Sequence, residues 1–432
     1  MLHFRQTVLL HQAAVALALI ASAATAAPSP EARVAAILQR TPLIDGHNDW
    51  AEVLRERERA GRWTLDLTRD LDRRPVPYNT DIARLRAGRV GGQFWSVYVS
   101  ADLPPLQQVE ETLDQIDLVK SFVGRYPRDF ALARTAADVR RIHASGRIAS
   151  LIGVEGGGQI DADLSVLRAY HELGAGYLTL THVRTLAWAD SATDDPAHGG
   201  LTPFGVAVVR ELNRLGMLVD LSHVSESTMR AAIAASQAPV IFSHSSARAI
   251  DDHPRNVSDD VLKLVAANGG VVMVNFAPAY VSDAYRRWSA DAAAAKTRFN
   301  APPYAGLFVG QPDKAAAAFV DWQAAHPAPA VTLADVADHI DHIAQIAGHD
   351  HVGIGSDFDG LSNTLPTGLG GVDTYPALLA ELVRRGWSDA DVAKLAGGNI
   401  LRVMARAEAV ATSMAGEPPG TASLATVDAA KR

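Results

Sequence analysis

The chain has 432 residues, with 40 Lys+Arg against 48 Asp+Glu, a formal net charge of −8 and no cysteine. A composition that is 48% hydrophobic and 20% charged can bury a large core. The missing cysteines exclude disulfides, thiolate metal sites, cysteine nucleophiles and cysteine-linked lipid anchors, and the acidic balance argues against a nucleic-acid surface.

Residues 1–26 read as a secretory signal peptide. Arg5 is the only formal charge, an apolar run spans Ala13–Ile20, and Ala24-Thr25-Ala26 is a small-x-small cleavage pattern. An uncleaved anchor is the alternative, but the run is short for a membrane span. The expectation is an exported protein, periplasmic or secreted, with no stable membrane anchor. Residues 31–411 read as one domain. The Ala/Gly/Pro/Ser/Thr-rich stretch 412–432 reads as a disordered tail.

Short apolar runs ending in polar residues mark eight strands: Leu43–Asp45, Gln93–Val99, Ile148–Glu155, Tyr177–His182, Leu218–His223, Val240–His244, Gly270–Phe276 and His351–Asp357. Helical periodicity fills the gaps at Ser165–Leu173, Pro203–Leu215, Ser225–Ala235, Ser258–Ala267 and Leu333–Ala347. Thr202-Pro203 supplies an N-cap followed by proline at the first helical position. Apolar strands alternating with helices predict a parallel sheet, and eight units predict a (β/α)8 TIM barrel with its active site at the carboxyl ends of the strands. A doubly wound open sheet is the alternative, weakened because no glycine-rich phosphate loop follows the first strand. Residues 281–330 form an insertion between the seventh and eighth strands, with helical stretches at Tyr285–Arg298 and Ala315–Ala325. It is either a wall of the cleft or surface decoration.

Of the 15 histidines, His47, His182, His223 and His244 fall at or just beyond strand ends, together with Asp49, Glu155 and Asp357. His47 and Asp49 are i,i+2, so they point to one side of an extended chain and can share a cation. His223 and His244 lie about one βα unit apart, so they end neighbouring strands and can share a second. Glu155 lies between the pairs and can bridge them. N/O ligands without sulfur suit two Zn²⁺ ions, with Mn²⁺ or Co²⁺ as competitors. His339 and His342, beside Asp338 and Asp341, read instead as a solvated helix face. A bridging hydroxide is the nucleophile open to such a site. Asp357 could orient it and move its proton, His182 could donate to an oxyanion, and Arg255 could pair with a substrate carboxylate.

The motifs Ile44-Asp45-Gly46-His47-Asn48-Asp49, Gln93-Phe94-Trp95-Ser96-Val97-Tyr98, Gly153-Val154-Glu155-Gly156-Gly157, Tyr177-Leu178-Thr179-Leu180-Thr181-His182, Asp220-Leu221-Ser222-His223, Phe242-Ser243-His244 and Asp357-Phe358-Asp359-Gly360 occur in collinear order. In these the chain resembles the membrane dipeptidase (renal dipeptidase) family of amidohydrolase-type metal barrels. The resemblance implies a binuclear zinc site that hydrolyses dipeptides, L-L and L-D. His47 and Asp49 would hold one ion, His223 and His244 the other, and Glu155 would bridge. His182, Arg255 and Asp357 would take substrate and proton-transfer roles. Tyr280 is a further candidate for capping the substrate. Family members often carry His after Glu-Gly-Gly, where this chain has Gly158. The cysteines that link animal subunits are absent, so a homodimer would have to be non-covalent. The alternative readings are a related amidohydrolase acting on N-acyl D-amino acids, lactones or β-lactams, and a metal-barrel binding protein without turnover.

Overall fold

In the computed structural model the described residues are 28–58, 64–303, 305–361 and 364–427. The expected signal peptide lies outside them. Nine strands pair in parallel: β1 (Leu43–Asn48), β2 (Val90–Tyr98), β3 (Phe130–Leu132), β4 (Ile148–Glu155), β5 (Ala175–Thr179), β6 (Leu218–Asp220), β7 (Ile241–Phe242), β8 (Val271–Val274) and β9 (Val352–Ile354). The order β2-β1-β9-β8-β7-β6-β5-β4 closes through β2–β4 pairing, which makes the predicted (β/α)8 barrel. The ninth strand, β3, was not expected. It pairs with Ile148–Ser150 of β4, below the stretch Ile152–Glu155 that pairs with β5. Three residues are too short to carry a periodic signal.

Strands buried on both faces need continuous apolar runs, and β4 is buried at all eight positions. Ile44, Phe94, Leu151, Tyr177, Leu218, Ile241 and Met273 fill the barrel, packed with Val139, Ile142, Ile400 and Met404 from helices Ala136–Ala144 and Asn399–Ser413. The second helix lies at the amino ends of the strands, where Asn399 donates to the Val352 carbonyl at 2.9 Å. The opposite, carboxyl-terminal end is left open for chemistry. Gly153 is a requirement of this packing. A Cβ there would lie 1.9 Å from the Tyr177 ring, which crosses the barrel at that level.

The outer helices follow the predicted periodicity closely, and Pro203–Leu215 and Leu333–Ala347 match it residue for residue. The Thr202 side chain accepts from the Gly205 amide, as its N-cap position demands. The insertion folds into helices Asp283–Phe299 and Pro312–Ala325, pinned together where the Trp288 indole donates to the His326 carbonyl at 2.7 Å.

His339 corrects the reading of a solvated helix face. It is fully buried, accepts at Nδ1 from the Ala247 amide (2.9 Å) and so donates from Nε2 to the Val281 carbonyl (3.0 Å). Burial pushes it down to about 4, so it is a neutral tie between the insertion and the barrel. Its neighbour His342 pairs with Asp259 at 2.7 Å. At the carboxyl end the described chain differs from the expected disorder after Ala411. The helix runs to Ser413, Met414 is buried, and Gly420 is tied by Glu211 (3.0 Å) and Arg168 (3.1 Å). Among the described residues no helix is long and apolar enough to cross a membrane.

Candidate active site

Every rim residue singled out in the sequence comes to the open end of the barrel. His47 lies inside β1, and Asp49 immediately precedes the helix Trp50–Arg57, its side chain free of any capping hydrogen bond. Their atoms converge, with His47 Nε2 3.4 Å from Asp49 Oδ1. Glu155 is the last residue of β4. His182, His223, His244 and Asp357 lie two or three residues beyond β5, β6, β7 and β9. His223 and Asp357 hold left-handed backbone at φ 68° and 65°, a costly conformation that turns each side chain inward over the strand ends.

Glu155 divides its two oxygens between the two sides. Oε2 lies 3.2 Å from His47 Nε2 and accepts from Ser96 Oγ at 2.9 Å. Oε1 lies 3.0 Å from His223 Nε2, 3.4 Å from His244 Nε2 and 3.6 Å from His182 Nε2. The His223 and His244 imidazoles themselves approach to 2.8 Å at Nε2.

The surroundings decide which nitrogen is bare. Ser243 Oγ donates its one hydrogen to Asp220 Oδ2 (2.7 Å), so it accepts from His244 Nδ1–H (2.8 Å) and leaves Nε2 as a lone pair. Tyr177 does the same for His47. Its hydroxyl donates to the Gly46 carbonyl (3.4 Å) and accepts from His47 Nδ1–H (2.9 Å). The two strands carrying these histidines are strapped alike. Asp220 also accepts from the Ser243 amide (2.8 Å), and Asp45 accepts from the amide (2.8 Å) and hydroxyl (2.7 Å) of Ser356, next to Asp357.

These contacts fit a cation centre. His47 Nε2 and Asp49 Oδ1 are buried without a hydrogen-bond partner. Ligand bonds of about 2.0–2.1 Å in tetrahedral geometry separate neighbouring ligand atoms by about 3.3 Å, close to the spacings found here. His47, Glu155 and His244 form one group within metal-binding reach, and Glu155, His182 and His223 a second. Burial holds His223 and His244 well below the usual imidazole range, so both are neutral, as ligands must be. Burial opposes charge at Glu155, but His47 and the other imidazoles hold it well below the carboxylate range. At His47 burial is outweighed by Glu155, Tyr177 and Asp49, which leaves it well above its ordinary value. The field at this point favours positive charge.

The cleft above holds about 430 Å³ and is lined by Asp49, Glu155, His182, Arg255, Tyr280 and Asp357, among others. Arg255 is buried and donates to Ser245 Oγ and the His244 carbonyl (both 3.3 Å), and its Nε has no partner among the described residues. No carboxylate pairs with it among the described residues. Its guanidinium lies 5.3 Å from the centroid of the Tyr280 ring. Asp357 accepts from Asn275 Nδ2 at 2.9 Å. Desolvation, with Asp49 beside it, raises its carboxyl well above the usual range. Burial lowers His182, so it is a neutral donor. Tyr285 and Ser289 of the insertion also line the cleft, so the insertion is a cleft wall. The site of the departure at Gly158 is filled by Gln108, whose Oε1 would be 2.6 Å from a Cβ.

A family model described as membrane dipeptidase (peptidase family M19) matches residues 31–417. The chain belongs to the membrane dipeptidase family. It is 40% identical over 392 residues to dipeptidase aclJ of Aspergillus oryzae, covering 89% of this chain and 82% of that one. Among solved structures it is similar to the probable dipeptidase PvdM of Pseudomonas aeruginosa, with 26% identity, a TM-score of 0.75, and coverage of 88% of this chain and 99% of that one. It is also similar to a metallopeptidase of Rhodobacter sphaeroides bound to a phosphinate mimic of L-Ala-D-Ala, with 27% identity, a TM-score of 0.66, and coverage of 85% and 99%. The chain is therefore a peptide-bond hydrolase of the dipeptidase type, and its His/Glu/Asp cluster is a site that could hold metal.

Sequence reasoning missed the supports of this M19 site. Tyr177, Asp220 and Ser243 were seen only as motif letters, and Asn275 gave no signal. Glu52 lines the cleft one helical turn beyond Asp49. The i,i+3 spacing of Asp49 and Glu52 was the signal that could have found it.

Proposed function

We propose that this chain is a binuclear zinc dipeptidase that hydrolyses L-L and L-D dipeptides. The observation that carries the reading is the division of Glu155, with one oxygen toward His47, which in turn faces Asp49, and the other toward His223 and His244. His47 and Asp49 would hold one ion, His223 and His244 the second, and Glu155 both. Bound there, zinc would polarise the peptide carbonyl and ionise water near neutral pH. The phosphinate mimic of L-Ala-D-Ala in the Rhodobacter sphaeroides relative supports including L-D substrates. The signal-like segment 1–26 supports export.

The residues then divide the work. Arg255 pairs with the terminal carboxylate, and Tyr280 closes over it. The His182 N–H donates to the carbonyl oxygen as that atom gains charge. Asp357 takes the proton of the attacking water and passes it to the departing amine.

A metal-counted assay tests the reading. We expect about two zinc ions per chain, loss of L-Ala-L-Ala and L-Ala-D-Ala hydrolysis on chelation, and recovery on zinc add-back. Turnover of N-acyl D-amino acids by folded, metal-loaded protein that spares free dipeptides would reject it.

Arg255 gives a sharper prediction. Arg255→Ala should raise KM about ten- to a hundredfold with kcat little changed, the worth of one or two charge-assisted hydrogen bonds. Dipeptide amides lack the carboxylate, so their kinetics should hardly change on the same substitution. Equal losses for acid and amide would remove Arg255 from carboxylate recognition.

A further inference from the structure

A second cavity of about 660 Å³ adjoins the cleft and shares Glu52 and Tyr98 with it. Four carboxylates line it, Glu52, Glu56, Glu111 and Asp114, against one cation, Arg55. That cation is already committed, at 2.9 Å to Glu111 and 3.0 Å to Asp114. Glu52 stands at the neck between the two spaces and makes no hydrogen bond or ion pair among the described residues. Burial, with Asp49, Glu56 and Glu155 nearby, raises the Glu52 carboxyl well above the usual range, and a ligand cation would offset the cost of its charge.

Topology says which end of the substrate arrives there. In the closed strand order β2 lies four strands from β7 in either direction, so the two face each other across the barrel. Arg255 follows β7, Tyr98 ends β2, and Glu52 follows the neighbouring β1. A dipeptide whose carboxylate meets Arg255, and whose scissile bond lies over Glu155, sends its amino-terminal residue toward Glu52.

We propose that this acidic cavity is the subsite for the amino-terminal side chain, and that it selects a cationic one such as lysine or arginine. The inference rests on the dipeptidase reading, and the experiment separates the two. Compare kcat/KM for Lys-Ala and Arg-Ala with that for norleucyl-Ala, whose side chain is apolar and of similar length. The zinc-loaded enzyme should favour the cationic substrates by about tenfold or more, and Glu52→Gln and Glu56→Gln should each cut that ratio. Hydrolysis of all three at similar rates, or an undiminished ratio in Glu52→Gln, overturns the subsite and leaves the dipeptidase standing. If no dipeptide is hydrolysed, the dipeptidase reading fails, and calorimetric titration with lysinamide and norleucinamide still decides the subsite. Tighter binding of lysinamide that Glu52→Gln removes supports it, and equal affinities overturn it.

Discussion

Glu155→Gln will release metal and lower kcat/KM on the order of 10³-fold, the scale of losing a main electrostatic element of an active site. The substitution is nearly isosteric, and Ser96 Oγ can donate to the amide oxygen or accept from the amide N–H, whichever faces it. The side chain nevertheless loses one of the two anionic oxygens proposed as ligand atoms. If the amide nitrogen turns toward His223 and His244, it offers N–H groups to a centre built of lone pairs. If it turns toward His47, the same happens on the other side. Zinc content should fall below two ions per chain while circular dichroism stays unchanged. A variant with both zinc ions and wild-type turnover would end the bridging assignment.

Asp357→Asn should leave zinc content and KM near wild type and lower kcat by about 10²–10⁴, the usual worth of a positioned acid–base group. Asparagine tolerates the left-handed backbone at φ 65° and keeps the shape, so the loss will report the missing proton acceptor. The surroundings fix the carboxylate in place. The Asp357 amide donates to the His47 carbonyl at 3.2 Å, Asn275 holds Oδ2, and a Cβ at Gly360 would fall 2.7 Å from Oδ1. His47, Asp49 and Asp357 also form a group within metal-binding reach. The variant therefore discriminates. Zinc lost in step with activity would make Asp357 a ligand and remove it from proton transfer.

The barrel was legible because its strands are buried on both faces, and such strands must be written as continuous apolar runs that a polar rim residue ends abruptly. The ligand-type residues were legible for the same reason: a histidine or glutamate closing an apolar run is conspicuous. What could not be read is whatever depends on contact across the barrel. Tyr177 looked like any apolar strand residue until its hydroxyl was found at His47, in the space Gly153 leaves open. His339 looked solvated because its neighbours Asp338 and Asp341 are charged, yet one helix face is buried under the insertion while the next faces outward. Glu52 lies on a helix turn rather than at a strand end, so no apolar run makes it conspicuous.

The paired straps at Asp45 and Asp220 have a consequence for how the centre is assembled. Asp45 fastens β1 to the segment after β9, and Asp220 fastens β6 to the segment after β7. Each half of the rim thus carries its own lock, and the halves meet at the Glu155 carboxylate and where the His47 and His244 rings approach to 3.8 Å between centroids. The rim is held as two preformed jaws that meet at these side chains. If the proposed pair of ions binds there, damage to one lock should loosen the ion on that side more than the other, so a half-loaded enzyme is the expected product of such damage.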